Sequence, residues 1–457
     1  MTTTRKTISI HKKLSIFLAS LLALPLLAAA RPQPSTDQAR LQKAAESACR
    51  AALCAVSSVQ RRDLGNSVAE YTVVLRVGAG PNDLIGLHRV VREEAPFRPA
   101  RTQRALFMTH GDIWGFDAAF LANPANALPV FLARNGVDVW GIDLRWVRVP
   151  ATTTNFSFMK NWGIEQDARD LAVGLSFARA TRLITGNGFS RLTLLGWSRG
   201  GIIGYAYLNA ETQLPPGLRN VKGFIPVDIY LKTDDETFRQ NACRRYAAEQ
   251  AALDAGTYQS ANGTIVLTIA SLATSDPTGA SPVFPGLTNR QAALLTGEAT
   301  FVFFPPDQQP VPAYHFTGGT FAAAPLPSGL PVPTGLLYSP EAAWLNVLRG
   351  ASPFQPQREL ADSDAAICGP SGAPDVRFDD HLDRITVPIL YVGAGGGFGE
   401  SGVYTTTLLG STDVTTRIVD LKPPADRLSD FGHADLFIGN NAQALVWQPI
   451  LTWLRTH

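Results

Sequence analysis

The chain carries no excess of charge of either sign. Its formal net charge is +2 over 457 residues. Four of its cations, Arg5, Lys6, Lys12 and Lys13, lie in the first thirty residues, which hold no acid. The remainder of the chain is slightly acidic, without the basic face that nucleic acid requires or the polybasic patch that holds a protein on an anionic membrane. Long apolar runs are equally lacking. Leu14–Leu27 is shorter than the roughly 20 residues of a membrane span. No later stretch is long and apolar enough either, so no stable membrane anchor is expected. There is no internal repeat. The glycine-rich run from Gly393 to Gly399 has neither the P-loop nor the dinucleotide spacing. Asp379-Asp380-His381 is too small a ligand set for a divalent cation, so neither a metal nor a cofactor is expected.

Cysteine is scarce, with four residues at 49, 54, 243 and 368. The start of the chain gives that number meaning. A basic segment, the apolar core Leu14–Leu27 and the small residues Ala28-Ala29-Ala30 before Arg31 read as an export signal over 1–30, cleaved after Ala30. The destination is then secreted or periplasmic. In such a compartment an even cysteine count suggests two disulfides, for which three pairings are possible. Cys49–Cys54 with Cys243–Cys368 is the favoured pairing. The first of these needs a turn, because residues five apart are too distant to close across an ideal helix.

What is present is an alternation of apolar runs and helical periodicities. Ser35-Thr36-Asp37-Gln38 fits a capping box opening a helix through Leu41, Ala44, Ala45 and Ala48, and residues 31–70 are read as a helical extension. Strands are expected near Tyr71–Val77, Leu84–Val91, Ala105–Thr109, Val137–Asp143, Leu192–Trp197 and Val221–Asp228. Helices are expected at Phe116–Leu121, Val130–Asn135, from Ile164 to Ala178 and from Gly201. This rhythm argues for a mostly parallel sheet covered on both faces, with a first core part over 71–228. It is lost over 229–384, where prolines cluster at 305–312 and 325–333. It returns over 385–457 with strands at Ile385–Val392 and Thr415–Leu421, a helix near Val403–Leu409 and a final helix carrying Val446, Trp447, Ile450, Leu451 and Leu454. The middle segment is expected to be a cap above the strand ends, inserted before the penultimate core strand. Its Tyr314, Phe316, Phe321, Leu336, Leu337, Tyr338 and Trp344 are candidates for an apolar channel or for the segment's own core.

Gly196-Trp197-Ser198-Arg199-Gly200-Gly201 follows the apolar run Leu192–Leu195 and precedes a helical stretch. A serine with glycines at minus two and plus two suits a strained strand-to-helix turn that presents its hydroxyl. Together with Thr109-His110-Gly111-Asp112, Gly141-Ile142-Asp143-Leu144-Arg145 and Asp430-Phe431-Gly432-His433-Ala434-Asp435, in that order along the chain, the pattern resembles the α/β-hydrolase superfamily over roughly 71–228 and 385–455. The resemblance implies an α/β-hydrolase fold and a serine esterase or lipase-like activity.

A serine hydroxyl needs an adjacent base. Of His315, His381, His433 and His457, only His433 occupies a loop between the last strand and the last helix, and it is the candidate base. The orienting carboxylate is less plain. The usual position after Val387–Gly393 holds glycines, so Asp228, at the end of an earlier strand, is preferred and Glu400 is the alternative. The main-chain N–H groups of Asp112 and Arg199 are the candidate oxyanion donors. The Arg199 side chain either attracts an anionic substrate group or pairs with a nearby carboxylate. The expected activity is hydrolysis of carboxylic esters, small-molecule or polymeric and of apolar character, through an acyl-enzyme on Ser198. An acyltransferase and a non-catalytic secreted binding protein of the same fold are the alternatives.

Overall fold

The computed structural model describes residues 36–52 and 54–457. The expected export signal and Ser35 of the capping box lie outside them. Nine strands form the body of the central sheet: β1 (Ala55–Gly65), β2 (Val68–Arg76), β3 (Leu84–Ala95), β4 (Arg104–Thr109), β5 (Val137–Asp143), β6 (Leu192–Trp197), β7 (Val221–Val227), β8 (Ile389–Ala394) and β9 (Val414–Val419). Their order is β1-β2-β3-β5-β4-β6-β7-β8-β9, and the short strand Arg98–Pro99 pairs with β3. The four strands from β1 to β5 pair antiparallel. From β5 through β4, β6, β7 and β8 to β9 every pairing is parallel.

The central strands are buried along their whole length in β5, β6 and β8. That is why they read as continuous apolar runs rather than alternations. Successive residues serve opposite faces of the sheet. Phe107, Trp140, Leu194 and Phe224 pack on one side under α2 (Ile164–Ile184) and α3 (Arg199–Glu211). Leu106, Val139, Leu195 and Ile225 pack on the other, with Ile450, Leu451 and Leu454 of the final helix Gln448–Thr456. The chain opens with α1 (Thr36–Ala52).

Two expectations need correction. The region 31–70 is not wholly helical, because β1 occupies Ala55–Gly65 and β2 begins at Val68. As an edge strand, β1 is mostly exposed and polar, so it lacks the apolar alternation that betrays a strand. The 229–384 segment is also richer in regular structure than its prolines suggest. It holds α4 (Glu236–Asp254), α5 (Asn262–Ser275), α6 (Asn289–Glu298), α7 (Glu341–Arg349) and α8 (Gln357–Cys368). Its prolines fall in the connections between helices, where they do no harm to helical hydrogen bonding. The segment lies in the chain between β7 and β8, the penultimate strand of the sheet.

Both favoured disulfides are present: Cys49–Cys54 and Cys243–Cys368. The first closes just past the end of α1, where the Cys54 N–H donates to the Cys49 carbonyl at 3.1 Å, the turn that this spacing requires. The second joins α4 to the last residue of α8.

Glu298, the last residue of α6, is fully buried, and neither carboxylate oxygen has a hydrogen-bond partner among the described residues. Desolvation pushes its pKa up to about 9. The folded chain therefore keeps a proton there that the unfolded chain releases near pH 4.5. Between those values the folded state binds the extra proton, so stability falls as pH rises, by about 1.4 kcal/mol per pH unit. Glu298→Gln is expected to remove this slope. Melting curves of the variant and the parent should diverge from pH 5 to pH 8 in favour of the variant. Parallel curves would contradict the assignment.

Candidate active site

Ser198 links β6 to α3 with φ of +56°, in the left-handed region that costs a non-glycine residue about 1–3 kcal/mol. Its N–H donates to the Val227 carbonyl at 2.9 Å. The flanking glycines are sites of close backbone approach. A Cβ on Gly196 would lie 2.2 Å from the Gly200 carbonyl oxygen, and one on Gly200 would lie 2.4 Å from that of Thr109. Gly111 faces the serine itself: a Cβ there would come within 2.6 Å of the Ser198 Cβ. The two motif loops, Thr109–Asp112 and Gly196–Gly201, therefore pack directly on each other.

His433 Nδ1 lies 2.6 Å from Asp228 Oδ2, and both side chains are fully buried. Nδ1 faces a carboxylate and so carries the proton, which leaves Nε2 with its lone pair. Nε2 is buried and has no hydrogen-bond partner among the described residues. The imidazole is stacked on Trp197, the residue before Ser198, at 4.9 Å between ring centres. Phe316 at 5.1 Å, Tyr314 at 5.4 Å and Phe398 at 5.9 Å close around it. The His433 N–H donates to the His315 carbonyl at 3.1 Å. The His315 ring is itself buried, with Nδ1 2.9 Å from the Ala313 carbonyl and Nε2 3.1 Å from that of Asp430. His315 thus ties the 229–384 segment to the loop that carries His433.

The two candidate acids are treated very differently. Asp228 sits at φ +51°, and its Oδ1 accepts the Ala394 N–H at 2.8 Å and the Gly399 N–H at 2.9 Å. Glu400 is exposed. The run Gly393–Gly399 explains itself here. A Cβ on Gly397 would fall 1.8 Å from Asp228 Oδ2, and one on Gly396 would fall 2.0 Å from His315 Nε2. These glycines wrap the carboxylate and the neighbouring imidazole.

His110 is buried and fully engaged. Its Nδ1 is 2.9 Å from the Gly111 carbonyl, and its Nε2 accepts the Leu144 N–H at 3.2 Å. Burial lowers its pKa, which fits this neutral tautomer. Its role is to fasten the Gly111 loop to the end of β5. Asp112 and Arg199 meet through their side chains: Arg199 Nη2 donates to Asp112 Oδ2 at 2.9 Å, and Nε donates to Oδ1. Of the two roles open to the arginine, pairing with a carboxylate is the one the structure shows. The main-chain N–H of Arg199 opens α3, where the first amides of a helix have no intrahelical acceptor.

A cavity of about 420 Å³ opens over Ser198. Its lining is largely apolar, with Trp114, Ile202, Phe304, Tyr314, Phe316 and Phe398 among the contributors. Of the aromatic and aliphatic residues expected to form a channel, only Tyr314 and Phe316 line it. Trp344 is fully buried behind Phe316, Phe321 packs with Leu287 and Leu295, and Leu337 is exposed. Leu336 and Tyr338 pack against the sheet-side core. Gln355, Arg245, Glu249 and Asp364 also face the cavity. No local sequence signal marks them: Arg245, Glu249 and Asp364 sit on helices that read as ordinary charged helices, and Gln355 sits in the short connection before α8.

Glu70, His88 and Asp117 carry the ligand types of a cation site. Their chemistry argues otherwise. His88 Nδ1 is 2.7 Å from Glu70 and Nε2 is 3.1 Å from Asp143. Burial opposes charge on this ring, but Asp143 and Glu70 outweigh it and hold the pKa up to about 10. An imidazolium has no lone pair for a metal. Arg62 pairs with both Glu70 and Asp117, supplying a second cation. Asp379 is likewise taken, by Lys232 at 2.6 Å.

No family model matches the chain, and no curated protein matches it. Solved structures do. A candidate lipase from Sulfolobus solfataricus is 20% identical with a TM-score of 0.57, over 88% of this chain and 99% of that one. A thermophilic esterase from Thermogutta terrifontis is 15% identical with a TM-score of 0.39, over 84% and 98%. A candidate lipase from Acinetobacter baumannii is 13% identical with a TM-score of 0.39, over 93% and 99%. The strand order, the glycine-flanked turn after β6 and a solved structure matched almost end to end give this chain the α/β-hydrolase fold.

Proposed function

We propose that the protein is an exported serine hydrolase of carboxylic esters. Ser198 is the nucleophile, His433 the general base and Asp228 the carboxylate that orients and stabilises the imidazole. The observation that carries this is the 2.6 Å contact between Asp228 and His433 Nδ1, with the free Nε2 enclosed by the residues that line the Ser198 cavity. Ser198 Oγ attacks the acyl carbon as its proton passes to His433 Nε2, and the carbonyl electron pair moves onto oxygen. The N–H groups of Arg199 and Asp112 receive that oxyanion. Collapse expels the alcohol, which takes the proton from His433. Water, deprotonated by the same nitrogen, then releases the acid and restores Ser198.

The largely apolar cavity favours substrates with an aliphatic or aromatic acyl or alcohol arm, and residues 229–384 act as the lid over it. The leader-like start and the two disulfides support work outside the cytoplasm. The test pairs a fluorophosphonate probe with a panel of p-nitrophenyl esters of rising acyl length. Labelling and hydrolysis that vanish in Ser198→Ala are expected. Folded wild-type protein that neither labels nor turns over any ester would refute the proposal.

A further inference from the structure

Two main-chain donors serve one oxyanion only if the loops that carry them are held in register. Here one loop is bare where it meets the nucleophile. Gly111 has no room for a side chain against Ser198, so it offers no handle of its own. The residue after each contact point supplies one. Asp112 follows Gly111 and Arg199 follows Ser198, and their side chains meet in a two-pronged ion pair. A guanidinium fork fixes both distance and orientation, which a single contact does not. The pair lines the cavity together with Ser198. It is tied in turn to the 229–384 segment: Gln355 Nε2 donates to Asp112 Oδ1 at 2.6 Å and lies 3.3 Å from Glu359 Oε2.

We infer that the Asp112 and Arg199 side chains are positioning residues, a clamp that sets the spacing of the two oxyanion donors on their own main chains, and that Gln355 fastens this clamp to the lid. This rests on the serine-hydrolase proposal. The pair also cancels the arginine charge beside the nucleophile, so the field felt by the oxyanion is that of the amides. Substrate binding in the ground state does not need the clamp. Its loss should therefore be felt in the transition state alone.

The test compares wild type, Arg199→Lys, Arg199→Met, Asp112→Asn and the double variant Arg199→Met/Asp112→Asn on the best ester of the panel. Inhibition by an arylboronic acid, which mimics the tetrahedral intermediate, is measured alongside. Arg199→Met is expected to lower kcat about 10- to 100-fold, since displacing an oxyanion donor costs less than deleting it. KM should stay within about threefold, and boronate affinity should fall with kcat. Arg199→Lys keeps the charge without the fork and should fall between Met and wild type. The double variant should be no worse than the worse single one, because the two residues act as a unit. If Arg199→Met fails to fold, Gln355→Leu carries the test, with an expected loss of a few-fold in kcat and none in KM. Wild-type protein with Ser198-dependent turnover, beside a clamp variant with unchanged kcat or a loss confined to KM, would overturn the clamp alone. Wild type without such turnover would take down the clamp and the proposed activity together.

Discussion

Asp228→Asn is expected to lower kcat about 10⁴-fold on any ester the protein turns over, the size of the effect when a triad acid loses its charge. The reason lies in the proton on the imidazole. Asp228 Oδ2 accepts the Nδ1 proton of His433 and so leaves Nε2 free to receive one. An asparagine amide turned toward Nδ1 donates instead, which shifts the imidazole proton to Nε2, where it blocks transfer from Ser198. The fold should survive, because the remaining carbonyl oxygen can still accept the Ala394 and Gly399 N–H groups that now bind Oδ1. Glu400→Gln, at an exposed position, is expected to stay within about twofold of wild type, in keeping with a surface substitution. Ser198→Ala sets the scale, with a loss of about 10⁶-fold. Steady-state kinetics on the three variants decide the matter. Full activity in Asp228→Asn, or a loss of the same order in Glu400→Gln, would mean that the acid has been placed wrongly.

Which residues meet at this site was largely legible in the sequence, and the part that was not has a physical reason. Ser198 and His433 stand in sharp local contexts: a turn that only glycines permit, and a loop before the last helix. Asp228 has no such context. It ends an ordinary buried strand, and what singles it out is the run Gly393–Gly399, more than 160 residues away, which folds around it with no side chain in the way. That run looked like a gap where an acid should be, whereas it folds around the Asp228 carboxylate, which comes from another strand. The same logic separates the strands that were readable from those that were not. β5 and β6 are buried on both faces and announce themselves, whereas β1 lies at an exposed edge and reads as polar chain. In the 229–384 segment, helices whose exposed faces are charged and whose ends are marked by proline carry no sign of which residues look into the cavity. Gln355 and Trp114 could be found only by folding the chain.

The second large effect concerns the wall of that cavity. Cys243 on α4 and Cys368 on α8 are 125 residues apart in sequence, and the helices they join face each other along their length. Arg245 of α4 forks onto Asp364 of α8, with Nε 3.0 Å from each carboxylate oxygen. Arg245, Glu249, Leu360, Asp364 and Ile367 all line the cavity. Closing a loop of this size restrains the unfolded chain by about 5 kcal/mol in the chain-entropy picture, against about 2 kcal/mol for the short Cys49–Cys54 loop. For a chain this long, about 5 kcal/mol corresponds to roughly 6 °C in Tm. Cys243→Ser/Cys368→Ser is therefore expected to melt roughly 6 °C below wild type and to raise KM, because the helix pair that forms the wall loses its covalent tie. Cys49→Ser/Cys54→Ser, at the end of α1 and away from the cavity, should melt only about 2 °C lower with unchanged kinetics. Calorimetry and ester kinetics on the two double variants test both halves. A larger loss in the Cys49/Cys54 variant, or a Cys243/Cys368 variant with wild-type Tm and KM, would show that α4 and α8 hold the cavity wall by packing and the Arg245–Asp364 pair alone.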